Sequence, residues 1–483
     1  SITMPLSATE MSIEATNLQW LPFDTDCISI YCETLSDTVT ISYNTNGGKD
    51  KDGNTITYKS ISQPPNKQIV LQGGDMYNEN KLFAWTDSQG NKYNYGDVYI
   101  VPNNNATLIA QWITGNEVTV TNTLSADSTV EFQSMSPSRC LIRYDDNEVA
   151  RRNTNAISTF KKNYSLGTHD TTIVSESDDL TNFDNAFDKE TTTKIDCSKV
   201  KATYLTSPMG NRFENMTDFV FPANLANIST SKGVLSGCKK LTKITFPIAY
   251  CDISHPESFL ANSTFVNGLE LPYTLNFVPM VSVDGQTGIE EIKQNEILKG
   301  SHVVGNLNIK AATTNKCVVY VNKETTSLVI YPATVQGRFY LMGKGIDGDL
   351  SGLQTIQIGR STNINDTDGF ASNTSASINL SLDFQSGNCT TKIPKNAFNG
   401  YSGNMINVVI YGNVTDSNGI TLENGSFCNM SNMAKLPMTN STSLKTIPEN
   451  CMNNLTSLTS ATTGYVVDVE GCNDMPNLTT LRI

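Results

Sequence analysis

Phe219-Val220-Phe221-Pro222, Ile244-Thr245-Phe246-Pro247 and Leu269-Glu270-Leu271-Pro272 recur 25 residues apart, each an apolar–polar–apolar triplet closed by proline. A fixed period in this range is the signature of a solenoid, whose repeats are supersecondary units stacked on their neighbours. Alternate residues of a strand point to opposite sides. The first and third residues of each triplet are therefore expected in a core, and Val220, Thr245 and Glu270 on an outward face. Proline then ends the pairing and turns the chain.

Moving downstream, the pattern continues at looser spacing through Asn306-Leu307-Asn308-Ile309, Leu328-Val329-Ile330, Ile356-Gln357-Ile358, Leu380-Ser381-Leu382 and Val408-Val409-Ile410. This extends the outward ladder, so Val220, Thr245, Glu270, Val329, Gln357 and Ser381 form the candidate binding face. A helical or irregular half is expected before each strand, as in Phe213-Glu214-Asn215-Met216 or Cys238-Lys239-Lys240-Leu241. The long step from Pro272 to Leu307 marks an insertion. Leu478-Thr479-Thr480-Leu481 has no visible cap, so its edge is expected to meet another subunit or further chain.

A second signature occupies the other half of the repeat. Ile393-Pro394-Lys395-Asn396-Ala397-Phe398 matches Ile447-Pro448-Glu449-Asn450-Cys451-Met452, with Leu422-Glu423-Asn424-Gly425-Ser426-Phe427 as a weaker copy. Together with the triplets, these resemble the BspA-type leucine-rich repeat over about residues 206–483. The resemblance implies a leucine-rich-repeat solenoid that presents a face to a partner.

Upstream, residues 40–113 run from Ile41-Ser42-Tyr43-Asn44-Thr45-Asn46-Gly47-Gly48, through Lys81-Leu82-Phe83-Ala84-Trp85, to Ala106-Thr107-Leu108-Ile109-Ala110-Gln111-Trp112. They resemble the Listeria–Bacteroides repeat of the InlB B-repeat type, except that no glycine separates Ala84 from Trp85. That resemblance implies a small β-grasp-like spacer. Trp85 and Trp112 are the expected core anchors, since a module this small needs large aromatic burial. Residues 1–39 read as an N-terminal β segment, either a small sandwich fragment or an anchoring strand pair that docks onto another subunit. Residues 114–205 read as a connecting and capping region, with strands near Val118-Thr119-Val120, Val130-Glu131-Phe132 and Leu141-Ile142-Arg143-Tyr144, and a short helix around Leu180 to Phe187. The fold class expected is mainly β.

Composition narrows the function. A net charge of −13 and a pI near 4.8 argue against nucleic acid and anionic membrane as partners. No run of about 20 apolar residues spans a bilayer. The eleven cysteines contain no C-x-x-C pair, so zinc is not expected, and Cys238 falls in an apolar position. Asp178, Asp179, Asp184 and Asp188 lack the D-x-D-x-D-G spacing that wraps calcium and read as a solvated face. The N-x-S/T sequons are accounted for by composition, because several fall where a glycan would obstruct stacking. Only His169, His255 and His302 are present, and no nucleophile, phosphate-loop or dinucleotide motif accompanies them. The expectation is a non-enzymatic protein without cofactor or metal. It is expected outside the cell, at a cell surface or on a virion surface, bound to a protein or glycan and associating through its N-terminal segment or C-terminal edge. The resemblances favour adhesion or receptor binding. The start at Ser1 without a leader and the unpaired cysteines favour a fibre or decoration protein of a virion. A polysaccharide-active enzyme with paired carboxylates is the minor alternative.

Overall fold

The computed structural model describes residues 38–482 apart from 154–155, 279–280, 284–289, 293–294, 333–337, 360, 370, 372–373, 385–391, 413–420, 434, 438–445, 448–449, 463–467 and 470–474. Residues 1–37 of the anchoring segment, with Trp20, Cys27 and Cys32, thus lie outside the described residues, as do Cys389 and Cys472. The chain divides into two units. The first ends at Thr114 and also takes Asp146–Asn153; the second comprises Gly115–Asp145 and the chain from Thr154.

In the first unit, Val39–Asn44 lies between Ile61–Gln63, antiparallel to it, and Ala106–Thr114, parallel to it. Lys81–Thr86 runs antiparallel to Ala106–Thr114, with Lys92–Tyr93 beyond it. No helix occurs among the described residues of this unit. Trp85 is fully buried, edge-on to Tyr43 at 5.1 Å and Phe83 at 5.5 Å, with its Nε1 donating to the Gln72 carbonyl at 2.7 Å. Trp112 is only half-buried. It packs on Phe83 and donates to the Asn46 carbonyl at 2.9 Å, pinning the Asn46-Gly47 turn in which both residues have positive φ. Trp85 is therefore the core anchor, and Trp112 clamps a turn. Asp146–Asn153, which the sequence places in the connecting region, joins this unit through Arg151. Its guanidinium lies 4.9 Å from the Phe83 ring centre and donates to the Met76 carbonyl at 2.5 Å.

The second unit opens with two nine-residue strands, Asn116–Leu124 and Gly167–Ser175, paired antiparallel. Asn116–Leu124 also pairs antiparallel with Thr192–Lys199, whose other edge starts a parallel ladder through Asp218–Val220 and Lys243–Thr245. An antiparallel strand thus covers the edge of the first coil, which would otherwise be left open. The expected helix at Leu180 to Phe187 is a single 3₁₀ turn, Phe183–Asn185. Leu180, Phe183 and Phe187 do face the core, but so short a segment cannot recover the cost of nucleating an α-helix.

The protein is mainly β, and the remainder is a β-solenoid of about seven turns. It differs from the expected plan in its second half-repeat. The segments before the strands are turns, and the only helical pieces among the described residues are Phe183–Asn185 and Leu350–Gly352. After each proline comes a second strand, and these form their own parallel ladder: Tyr204–Leu205, Asn227–Ile228, Cys251–Ile253, Leu275–Phe277 and Ala312–Thr313. Leu205, Ile228, Ile253 and Phe277 point inward and are at most 3% exposed. Three of these strands are only two residues long, too short to display alternation, and none is closed by the proline that marks the triplets.

The corner between the ladders explains the repeated residue types. Gly210, Leu235, Leu260 and Leu298 all adopt positive φ, as do Arg212, Gly237, Asn262 and Gly300 two residues later. Leucine in this region is strained. A stack of buried donors holds it there. The Cys238 thiol donates to the Gly210 carbonyl at 3.1 Å, the Ser263 hydroxyl to Leu235 at 2.6 Å and the Ser301 hydroxyl to Leu260 at 2.8 Å. Cys238 is buried as expected, yet its thiol also does a hydroxyl's work. The second sequence signature has a similar origin: Asn396, Gly425 and Asn450 all have positive φ, and Phe398 stacks on Phe427 at 5.1 Å.

Candidate binding face

The six residues of the candidate face do not form one ladder. Val220 pairs with Asp196 on one side and Thr245 on the other. Glu270 instead begins a second run, Glu270–Asn308–Val329–Gln357–Asn379. Ser381 lies two residues beyond Asn379, on the same side of that strand, and pairs with Val409. Asp196, Asn308 and Asn379 are thus members that the candidate set lacked. The alternation in Asn306-Leu307-Asn308-Ile309 was the signal for Asn308. Thr245 and Glu270 are exposed; Val220, Val329, Gln357 and Ser381 are half-buried between their neighbours.

The two runs separate between Thr245 and Glu270, within the triplets that set the period. Lys243–Thr245 is the last strand of one sheet and Leu269–Leu271 the first of another. Just upstream the coils still touch, because Leu241 bridges Phe265. Divergence follows at Val266-Asn267-Gly268. Gly268 has φ +79°, and a Cβ there would lie 2.7 Å from the Asn306 carbonyl oxygen. A relay of threonine hydroxyls ends at the same place. Thr193, Thr217 and Thr242 donate to the carbonyls of Thr121, Thr193 and Thr217 at 3.3, 3.1 and 3.0 Å, and the next position is Asn267.

The result is a cleft of about 330 Å³ whose floor includes Ile244 and Phe246 and whose rim includes Lys243, Asn267, Glu270 and Asn308. Ile244 and Phe246 are half-buried, whereas their equivalents Phe219 and Phe221 are at most 1% exposed. On the rim, Glu270 pairs with Lys310 at 2.8 Å, both about half exposed. Such a pair contributes about 0–1 kcal/mol and serves to fix a charge pattern.

The titratable groups singled out by sequence are dispersed. His169 contacts Asp145 at 2.6 Å through Nδ1 and the Ser165 carbonyl at 2.9 Å through Nε2, and it stacks on Tyr164 at 4.3 Å. His255 pairs with Glu257 and His302 with Glu324. Asp178 accepts from Asn116 at 2.6 Å, and Asp188 accepts from the Thr191 amide at 2.9 Å. Burial raises the Asp184 carboxyl above its usual range, and it accepts from the Asn211 amide. Among the described residues, no three metal-binding side chains converge. Comparison with protein families, with curated proteins and with solved structures finds no match to this chain.

Proposed function

We propose that this chain is a non-enzymatic surface protein whose solenoid presents its strand face to a protein or glycan. The observation that carries the reading is the pair of outward ladders, Asp196–Val220–Thr245 and Glu270–Asn308–Val329–Gln357–Asn379. Regular strands hold these side chains at fixed spacing, so a partner meets a rigid surface and little ordering cost falls on this side. The resemblances to the BspA-type repeat and to the InlB B-repeat support adhesion or receptor binding at a cell surface, with the β-grasp-like first unit as a spacer. Binding of the intact chain to glycan and protein arrays tests the face. Glu270→Lys with Gln357→Lys should weaken the interactions found; if every one is unchanged, the face is not the site.

A second reading, a fibre or decoration protein of a virion, has an observation of its own. Among the described residues, Cys197, Cys238, Cys251, Cys317 and Cys428 are free and buried. Burial pushes Cys238 up to about 11 and Cys251 up to about 12, which makes both thiols inert. A core built on reduced thiols suits folding in a reducing compartment before assembly. Alkylation of the native source material under denaturing conditions tests this: unblocked disulfides at these positions would sink it.

A further inference from the structure

The second ladder begins at Tyr204–Leu205, an edge strand paired only with Asn227–Ile228. Its two residues face opposite ways. Leu205 is 3% exposed, while Tyr204 is 69% exposed, a large aromatic surface for a side chain with no ring partner among the described residues. Beside it lies a cleft of about 290 Å³ between the strand and the Asp178-Asp179-Leu180 segment. The cleft has an apolar floor in Leu180, Ala202 and Leu205, each at most 7% exposed. Its rim is polar. Asp179 is exposed, and its carboxylate makes no hydrogen bond among the described residues; the hydroxyls of Thr206 and Ser207 are likewise unengaged.

We infer that this cleft is a binding site for a neutral sugar. A sugar ring has an apolar C–H face and a rim of hydroxyls that both donate and accept. The Tyr204 ring matches the first, giving an amphipathic platform at low entropic cost. Asp179 accepts from ring hydroxyls, and Thr206 and Ser207 either donate to them or accept from them. The lining carries Asp178 and Asp179 against a single cation, Lys201, so its net charge is negative and disfavours an anionic sugar. The site lies on the second ladder, apart from the outward face, so it stands or falls independently of the strand-face reading.

Saturation-transfer NMR on the intact chain, with maltotriose, cellotriose and chitotriose as neutral probes and 3′-sialyllactose as the anionic one, tests the assignment. At least one neutral probe should bind, and 3′-sialyllactose should bind more weakly. Tyr204→Ala should lower that affinity about tenfold, the loss of roughly one aromatic contact. The melting temperature should be unaltered, because the ring is exposed. Asp179→Asn should weaken binding severalfold, and Glu270→Lys should leave it unchanged. The inference is overturned if no neutral probe binds, if 3′-sialyllactose binds best, if Tyr204→Ala retains full affinity, or if Glu270→Lys lowers affinity as much as Tyr204→Ala.

Discussion

The two ladders of the solenoid behave differently in the same coils. The second runs unbroken, Leu205–Ile228–Ile253–Phe277–Thr313, and beside it the corner stack of Cys238, Ser263 and Ser301 continues coil by coil. The first is interrupted between Thr245 and Glu270. Each coil is therefore held by its second strand and its corner, which leaves the first strand free to separate. Continuity on one face stabilises the stack, and interruption on the other opens a cleft in its surface.

The largest test of this contrast compares two stacked rings, Phe221 and Phe246, whose centres lie 5.8 Å apart. Phe221 is 1% exposed, so Phe221→Ala should cost about 3–5 kcal/mol in denaturant unfolding. Phe246 is half-buried at the cleft, and Phe246→Ala should cost less, about 1–2 kcal/mol. Equal losses would mean that the cleft is closed in solution.

The corner stack is the next target. Ser263 donates to Leu235 and accepts from the Cys238 amide at 3.0 Å, fully buried. Ser263→Ala strands both groups and should cost about 1–3 kcal/mol. Cys238→Ser keeps a donor aimed at Gly210 and should change stability by less than about 1 kcal/mol, read as a shift in melting temperature. A large loss in the second variant would show that the thiol acts by packing alone.

A smaller effect belongs to the cap. Burial opposes charge on His169, but the Asp145 carboxylate and the Ser165 carbonyl outweigh it and raise its pKa above the ordinary value. Both ring nitrogens face acceptors, so the folded cap favours the imidazolium. The stabilisation should be complete below the unfolded value of about 6.5 and be lost as pH rises through the folded value. Melting temperatures from pH 5 to 9 should show that decline, and His169→Phe, which keeps a ring on Tyr164, should remove it. The smallest effect is expected at Glu270–Lys310. Glu270→Gln should alter stability by less than about 0.5 kcal/mol, measured by chemical denaturation.

Much of this architecture was legible in local pattern. The three triplets placed strands at Phe219, Ile244 and Leu269 because alternation and period are properties of neighbouring residues. Trp85 read as a core anchor because a small sheet needs a large ring. The Asn and Gly of the second signature were visible as a motif, though their reason, positive φ, was not. The candidate face was legible only strand by strand: each of its residues is less buried than the described residues beside it in its own strand, and the joining of strands into one ladder was not legible.

The sequence by itself determined the period, the β class and the inward and outward sides of the longer strands, since steric alternation and proline act within a few residues. Only the tertiary structure decided which strand pairs with which. Pairing depends on what the adjacent coil offers, and at Val266-Asn267-Gly268 a backbone departure one coil away parts two triplets that look equivalent in sequence. The same holds for the short strands of the second ladder, two or three residues each, which exist because their neighbours complete them, and for Asp146–Asn153, which Arg151 ties to the first unit.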